Sequence, residues 1–584
     1  MTKKTRISGS RLIADTLKGY GVTHIFYVEA IMRPAMVEIA GSRIKRIVAH
    51  SEKSAAYMAD GYARISGKPG ICMAQSVGAA NLAAGLQDPY LGCSPVVAIT
   101  GHRKPSAQHR NSYQEVVHGP LYEPVTKYNV GAINLEQLSV YFRQAFREAS
   151  SGKPRPVHID VLGHEGTDIC LLEEAVEVSV DEQYSQYPAI RFEPDESDVL
   201  KAVKAITEAE RPVIVAGGGV RSSSAAAEVV EFAEKLSIPV ATSADGKGTI
   251  PEDHPLSIGV VGTYSRWCAN RSVSEADLVI FIGSQTGDQV TFDWQVPLPG
   301  TSIIQIDIDP SELGQNYANT LGLLGDAKRT VRKLIRSIDD VPDFQQWARR
   351  TNGFVKTWQH ENESLLNSDA LPMRPERLCK EVSDNLPDNA ILVSDTGYSA
   401  VWTATMIPIT KPGQTYIRAA GSLGWGFPAA MGAKCAAPDR PVICFTGDGG
   451  FWYHISELET ALRWNINTIT IINNNSGLGQ SVLGVENAWG DRSGNKEEQY
   501  QFLDTNFAKI AEDIGCMGIR VENPVDLPAA LQEALKADVP VVIDVVTDLY
   551  AKAAPPCLPE MDSENCSSCN LGCSRNKPRR KRTN

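Results

Sequence analysis

Three stretches of this 584-residue chain repeat one pattern, a short β-branched apolar run followed by a segment with helical periodicity. Apolar runs of that kind belong in parallel sheets. A parallel connection must cross back over the sheet, and a helix is the usual crossover, so both faces end up buried. The first stretch, from about Ile7 to Asp168, offers THIFYVEA, KRIVAH, GICMAQS, SPVVAIT and PRPVHIDV as strands. Between them SAAYMADGYARIS and AANLAAGLQDPYL read as helices of small residues suited to close packing. The second, about Asp198 to Ile338, holds RPVIVAGGGV, IPVATS, ADLVIFIGS and TSIIQIDIDP. The third, about Arg374 to Leu549, holds NAILVSDTG, RPVICFTGDGG, NTITIINNN and VPVVIDVVTD. The pattern predicts an α/β protein of three domains, 1–175, 195–340 and 370–550, each a parallel sheet flanked by helices, with a tail from 551 to 584. A polar stretch after Leu172 is expected to link the first two, and the first and third are similar in plan.

Composition narrows the class. Apolar residues at 42% and charged ones at 22% are ordinary for a globular protein and exclude a disordered, collagenous or coiled-coil chain. A net charge of −12 argues against nucleic-acid binding by the surface as a whole. No apolar run is long enough to span a membrane. The start, MTKKTRISGSRLIADTLKGYG, lacks the apolar core and cleavage site of a secretory signal, so a folded domain is expected there. Of 12 cysteines, those scattered singly are expected to be reduced core thiols, which makes the cytoplasm the expected address. Cys557, Cys566, Cys569 and Cys573 crowd the tail ahead of the basic run Lys577 to Arg582. Four thiolates would close a zinc site. Their spacing fits no standard zinc ribbon, which favours a flexible, redox-sensitive tail.

The chemistry begins at Gly447-Asp448-Gly449-Gly450, between the strand VICF and a helix with Ile455, Leu458 and Leu462 on one face. Such a turn exposes backbone N–H groups that cradle phosphate. An Asp in it repels phosphate unless a divalent cation lies between them. One helix and one strand later come Asn473, Asn474 and Asn475, then Ser476 and Gly477. A parallel sheet returns both segments to one C-terminal edge, where ligands bind. A carboxylate, an amide oxygen and a backbone carbonyl are hard ligands suited to Mg²⁺.

Together these residues resemble the thiamine-diphosphate enzymes, and among them the acetolactate-synthase-like group, from about Ile7 to Leu549. The resemblance implies a pyrimidine-binding first domain, a central nucleotide-type domain and a diphosphate-binding third domain. It places the Mg²⁺ ligands on Asp448, Asn475 and the carbonyl of Gly477, and cofactor contacts on Gly397, Tyr398, Ser399, Gly449, Gly450 and Leu478. Glu52, between His50-Ser51 and Gly61-Tyr62-Ala63-Arg64, takes the place of the family's catalytic acid. Thiamine must lose a weakly acidic proton from C2. A carboxyl against the aminopyrimidine N1′ stabilises the imino tautomer, whose 4′-nitrogen removes that proton. Gly421-Ser422-Leu423-Gly424 matches the loop whose bulky residue bends the cofactor, and Asn81 also fits the family pattern. Gln114, in Tyr113-Gln114-Glu115, matches a residue that approaches the reacting carbon.

The chain departs from the synthases in several places. Tyr27-Val28-Glu29-Ala30 stands in place of a Gly-rich turn, so Glu29 is a candidate second acid–base group or substrate filter, or points away. Ser76-Val77 replaces a Gly-Pro, Ser51 replaces a His, and Gly484 falls where a Trp is usual, which suggests a roomier, more polar pocket. Gln285 and Gln289 stand where flavin-binding synthases carry Arg, so FAD or ADP in the central domain is weakly supported. The expected function is decarboxylation of a 2-oxo acid and ligation to an acceptor, with thiamine diphosphate and Mg²⁺. A 2-hydroxyacyl-CoA lyase or acyl-CoA decarboxylase is the alternative. A catalytically silent regulatory homologue and a flavin oxidase are two further readings. The resemblance implies a homodimer at least, and a homotetramer is expected.

Overall fold

A computed structural model describes residues 4–339 and 342–556. The tail cysteines and the basic run lie outside the described residues. Three six-stranded sheets, each parallel throughout, form the framework. Inner strands of these sheets are apolar runs buried from end to end, as in His24–Tyr27, Gly70–Ala74 and Leu278–Ile282. Burial on both faces is what removes the alternation of a half-exposed strand.

The first sheet runs in the order Lys45–Val48, His24–Tyr27, Gly70–Ala74, Val96–His102, Val157–Leu162, Tyr128–Ala132. The third repeats that order step for step: Thr415–Arg418, Ile391–Ser394, Val442–Gly447, Ile469–Asn474, Val541–Val546, Met517–Val521. In each, the opening strand is joined on one side by the next strand and on the other by the one after. The direction of winding therefore reverses beside the opening strand, and a crevice opens there at the C-terminal strand ends. In the first domain the crevice lies between His24–Tyr27 and Gly70–Ala74, in the third between Ile391–Ser394 and Val442–Gly447. The central sheet has a different order, Ser257–Val260, Val240–Thr242, Pro212–Ala216, Leu278–Ile282, Ser302–Asp307, Leu321–Leu324, the winding of dinucleotide folds.

The polar stretch expected to be a linker begins as a strand, Glu173–Val176, paired antiparallel with Thr5–Ser8. Helix Gln345–Leu366 buries Trp347 and Trp358 in a core shared by the central and third domains. Helices Glu52–Ser66 and Gly426–Ala436 join the first domain to the third through their small residues. A Cβ on Gly61 would overlap the Ala429 carbonyl, and one on Gly432 the Met58 carbonyl. That crossing sets the last turns of the first helix, with Asp60 and Arg64, against the segment preceding the second. The eight described cysteines are all free, and no described helix is long and apolar enough to cross a membrane.

Candidate active site

In the third domain, the crevice is lined by three turns that follow neighbouring strands. The first holds Gly397, at φ 70°, which opens helix Tyr398–Met406. Its leading N–H groups have no acceptor within the helix. The second holds Asp448, Gly449 and Gly450, all buried. The third holds Asn475, Ser476 and Gly477. Asp448 accepts the Gly449 N–H on one oxygen at 2.9 Å and the Gly477 N–H on the other at 2.8 Å. The Leu478 N–H donates to the Tyr500 carbonyl at 2.8 Å, which turns the Gly477 carbonyl, trans across that peptide, the other way. Asn474 is committed to the fold, donating to Asp544 and Thr505. The Oδ1 atoms of Asn473 and Asn475 are buried without a partner. Leu478 packs so closely over Gly449 that a Cβ there would lie 2.7 Å from its Cδ2.

Leu423, half-buried, stands on a loop held by two carboxylates that the sequence reading did not single out. Asp395 accepts the N–H groups of Thr396, Gly424 and Gly426 at 2.7, 3.0 and 2.9 Å. Burial raises its pKa, and those donors oppose the shift. Asp88, from the first domain, accepts the N–H groups of Ala420 and Ser422. The signals were an acid directly after the apolar strand ILVS, and an acid on a helix of small residues.

In the first domain, Glu52 opens its helix at the crevice edge and is half-buried. The Asn81 amide donates to its Oε2 at 3.2 Å. A Cβ on Gly78 would lie 2.3 Å from its Oε1, so a larger residue there would push the carboxylate aside. Gln114 sits at φ 60° with its Oε1 buried and unpaired, and its carbonyl accepts the Ser76 hydroxyl at 2.6 Å. His118 Nε2 donates to the Ser76 carbonyl at 2.9 Å, and its Nδ1 lies 3.1 Å from the Asp160 carboxylate. Glu29 is placed in an ion pair. Arg33 contacts both of its oxygens, at 2.6 and 3.0 Å, and also Glu165 at 2.7 Å. The Arg33 guanidinium holds the Glu29 carboxyl below its ordinary range, so it stands as an anion and not as a proton donor.

Three family models match in chain order. The N-terminal TPP-binding domain of thiamine pyrophosphate enzymes matches residues 7–120, their central domain 199–334, and their C-terminal TPP-binding domain 395–545. A probable acetolactate synthase large subunit of Methanocaldococcus jannaschii is 34% identical over 569 residues, covering 94% of this chain and 93% of that one. The acetolactate synthase isozyme 1 large subunit of Escherichia coli is 31% identical over 561 residues, covering 94% and 96%. The acetolactate synthase large subunit of Lactococcus lactis is 30% identical over 547 residues, covering 92% of each. The chain belongs to the acetolactate synthase-like thiamine pyrophosphate enzymes. Its class is that of thiamine-pyrophosphate-dependent decarboxylases and carboligases.

The residues present suit the metal that this family implies. Among the described residues no three His, Cys, Asp or Glu side chains gather at a metal-binding distance, so any cation here takes a mixed oxygen set. Asp448 is buried with no cationic side chain paired to it among the described residues, and burial pushes its pKa up to about 7. A divalent ion would supply the missing positive charge, and the orphaned Asn475 oxygen a second ligand. Further along, no atom lies within 4 Å of where a Cβ on Gly484 would stand, so that part of helix Gly479–Trp489 borders open space.

A central cleft of about 470 Å³ is lined by Gly218, Asp245, Gln285, Gln289, Asp307 and Arg418, among others. It suits a flavin dinucleotide poorly. Arg418 pairs with Asp245 and Gln289, Lys153 with Glu312, and Gln285 donates to the Cys93 thiol. The phosphates of such a ligand would find the lining cations Arg418 and Lys153 already taken.

Proposed function

We propose that this enzyme decarboxylates a 2-oxo acid and ligates the remaining carbon unit to an acceptor carbonyl, with thiamine diphosphate and Mg²⁺. The observation that carries the reading is the pairing of two half-sites. One holds Glu52 braced by Asn81; the other holds Asp448 and Asn475 at a winding reversal between strands. The similarity to acetolactate synthase large subunits supports the 2-oxo acid substrate. The thiols found unpaired support a reducing compartment, the cytoplasm.

Bound thiamine diphosphate supplies an electron sink beside a carbonyl, through which CO₂ is lost and a new C–C bond is made. Asp448, Asn475 and the Gly477 carbonyl would hold Mg²⁺, and Gly397, Tyr398, Ser399, Gly449 and Gly450 the diphosphate. Leu423, on its doubly anchored loop, sets the shape of the cofactor-facing wall. Glu52 holds and passes a proton at Oε1, the oxygen that Asn81 leaves free. Gln114 offers its unpaired Oε1 to a donor on the substrate. Glu29 filters by charge, as an anion tied to Arg33.

The site is proposed to close between two copies of the chain. Large apolar residues stand exposed beside both half-sites: Val77, Tyr113 and Val117 on one side, Trp452, Tyr453, Phe502 and Leu503 on the other. Tyr113 is 74% and Leu503 87% exposed, which a monomer leaves in water. A homodimer, with the first domain of one copy facing the third domain of the other, covers both patches.

Incubation with thiamine diphosphate, Mg²⁺ and a panel of 2-oxo acids, with and without aldehydes and acyl-CoAs, tests the reading by mass spectrometry of the products. CO₂ with a ligated product is expected, and Glu52→Gln abolishes it while cofactor binding persists. Turnover of an acyl-CoA alone would move the enzyme to the lyase branch. Equal activity of the Glu52→Gln variant would remove Glu52 from the mechanism.

A further inference from the structure

Helix Gly78–Leu91 has a polar contact of consequence near each end. Near its start Asn81 donates to Glu52. About two turns further on, Asp88 is wholly buried and reaches out of the first domain. It accepts the Ala420 N–H at 3.0 Å from each oxygen and the Ser422 N–H at 3.0 Å, and Arg64 braces it at 3.2 Å. Arg64 is itself forked onto Asp60 at 2.8 and 2.7 Å and donates to the Arg418 carbonyl at 2.7 Å. Trp425 Nε1 donates to Asp60 at 2.9 Å. Three buried charged residues of the first domain thus grip the 418–425 segment of the same chain's third domain. Leu423 stands in the middle of that segment.

These are donors that nothing else satisfies as well. Two loop N–H groups need a charged acceptor in a dry place, and a carboxylate with its countercharge supplied by Arg64 is the strong form of that bond. The carboxylate of Glu52 makes no such link to the third domain of its own chain; its hydrogen-bonding partner among the described residues is Asn81.

We infer that Asp88 is a positioning residue for the loop 420–424, and that it acts on the active site to which its own chain's Glu52 does not belong. This rests on the two-copy reading above. In such a dimer the Asn81 end of one helix serves one site and the Asp88 end serves the other. Each first domain then both activates the cofactor across the interface and shapes the cofactor's bed within its own chain.

A mixed dimer tests this. Asp88→Asn keeps the shape but turns one acceptor oxygen into a donor facing N–H groups. The homodimer of that variant is expected to lose at least ~10-fold in kcat and to bind thiamine diphosphate more weakly, with its thermal transition retained. The Glu52→Gln homodimer is expected to be inactive. A mixed dimer, purified through two different tags, then contains one site with both defects and one with neither. It is expected to recover about half of the wild-type activity, as does a mixed dimer of Glu52→Gln with the wild type, by a count of intact sites. If the Asp88→Asn chain does not assemble, Asp88→Glu, which moves the carboxylate by one methylene, enters the same cross with the same expectation. A mixed dimer no more active than its parents would overturn the inference, because Asp88 would then act on the site of its own Glu52. Unchanged kcat and cofactor affinity in the Asp88→Asn homodimer would overturn it too. An active monomer in sedimentation would instead overturn the two-copy reading, before Asp88 is considered.

Discussion

The Asn81 amide meets one oxygen of Glu52 at 3.2 Å, while the backbone of Gly78, the first residue of the same helix as Asn81, closes on the other. The carboxylate is thereby fixed in direction by a donor and in position by an absent side chain. A single bond to a charged acceptor is worth roughly 1.5–3 kcal/mol.

Asn81→Ala is therefore expected to lower kcat by ~10-fold or more, since 1.4 kcal/mol is a factor of ten, while leaving the diphosphate turns untouched. Cofactor titration by intrinsic fluorescence, beside steady-state kinetics, checks the split. A comparable loss of affinity with kcat preserved would mean that Asn81 anchors cofactor directly and does not act through Glu52.

The metal half-site makes its own prediction. Chelation with EDTA followed by desalting is expected to strip both activity and bound thiamine diphosphate, and Mg²⁺ with cofactor to restore them. Ligand present at about 100 times its Kd adds ~2.7 kcal/mol of stability, so the thermal transition rises on reloading. Asp448→Asn weakens reloading by at least ~10-fold. Retention of cofactor after chelation would disprove the assignment of Asp448, Asn475 and Gly477 as cation ligands.

Much of this was legible in the residues, because the decisive groups act through local patterns. Asp448 sits in a turn between strand and helix, and Asn475 ends the next strand, so the sheet alone brings them to one edge. The similarity in plan of the first and third domains proved to be an identical strand order. Other features depend on partners that are distant in sequence. Asp88 and Asp395 earn their roles from backbone N–H groups of the 420–426 loop, and no side-chain pattern marks a backbone donor. Glu29 is a local case. Its partner Arg33 lies only four residues on and opens the next helix, but Glu29 stands in the bend before it, so no helical periodicity marks the pair.

Two glycines make a matched test of packing. A Cβ on Gly432 would overlap the Met58 carbonyl at the crossing of the first and third domains, whereas Gly484 faces open space. Gly432→Ala is expected to cost ~1–3 kcal/mol through overpacking, or to prevent assembly. Gly484→Ala, in the interior of a helix, is expected to stabilise by ~0.5–1 kcal/mol. Denaturant titration of both variants decides it, and equal effects would show that the helix crossing tolerates separation.

The pH dependence of stability follows from His454. It is buried, its Nδ1 lies 2.7 Å from the Ser54 hydroxyl, and its Nε2 has no partner. Burial, and next the charge of Lys53, lowers its pKa from 6.5 to about 4. Between those values the unfolded chain binds the proton and the native chain does not. Stability is therefore full above pH 6.5 and falls as the pH drops towards 4, by on the order of 3 kcal/mol. His24, lowered to about 4 chiefly by its own burial, acts in the same window and direction. His454→Gln keeps a donor or acceptor for Ser54 and removes the titration. Urea titrations at pH 7.5, 6 and 5 should show a shallower decline for that variant, with the remaining slope carried in part by His24. An unchanged slope would mean that His454 is protonated equally in the native and unfolded chains.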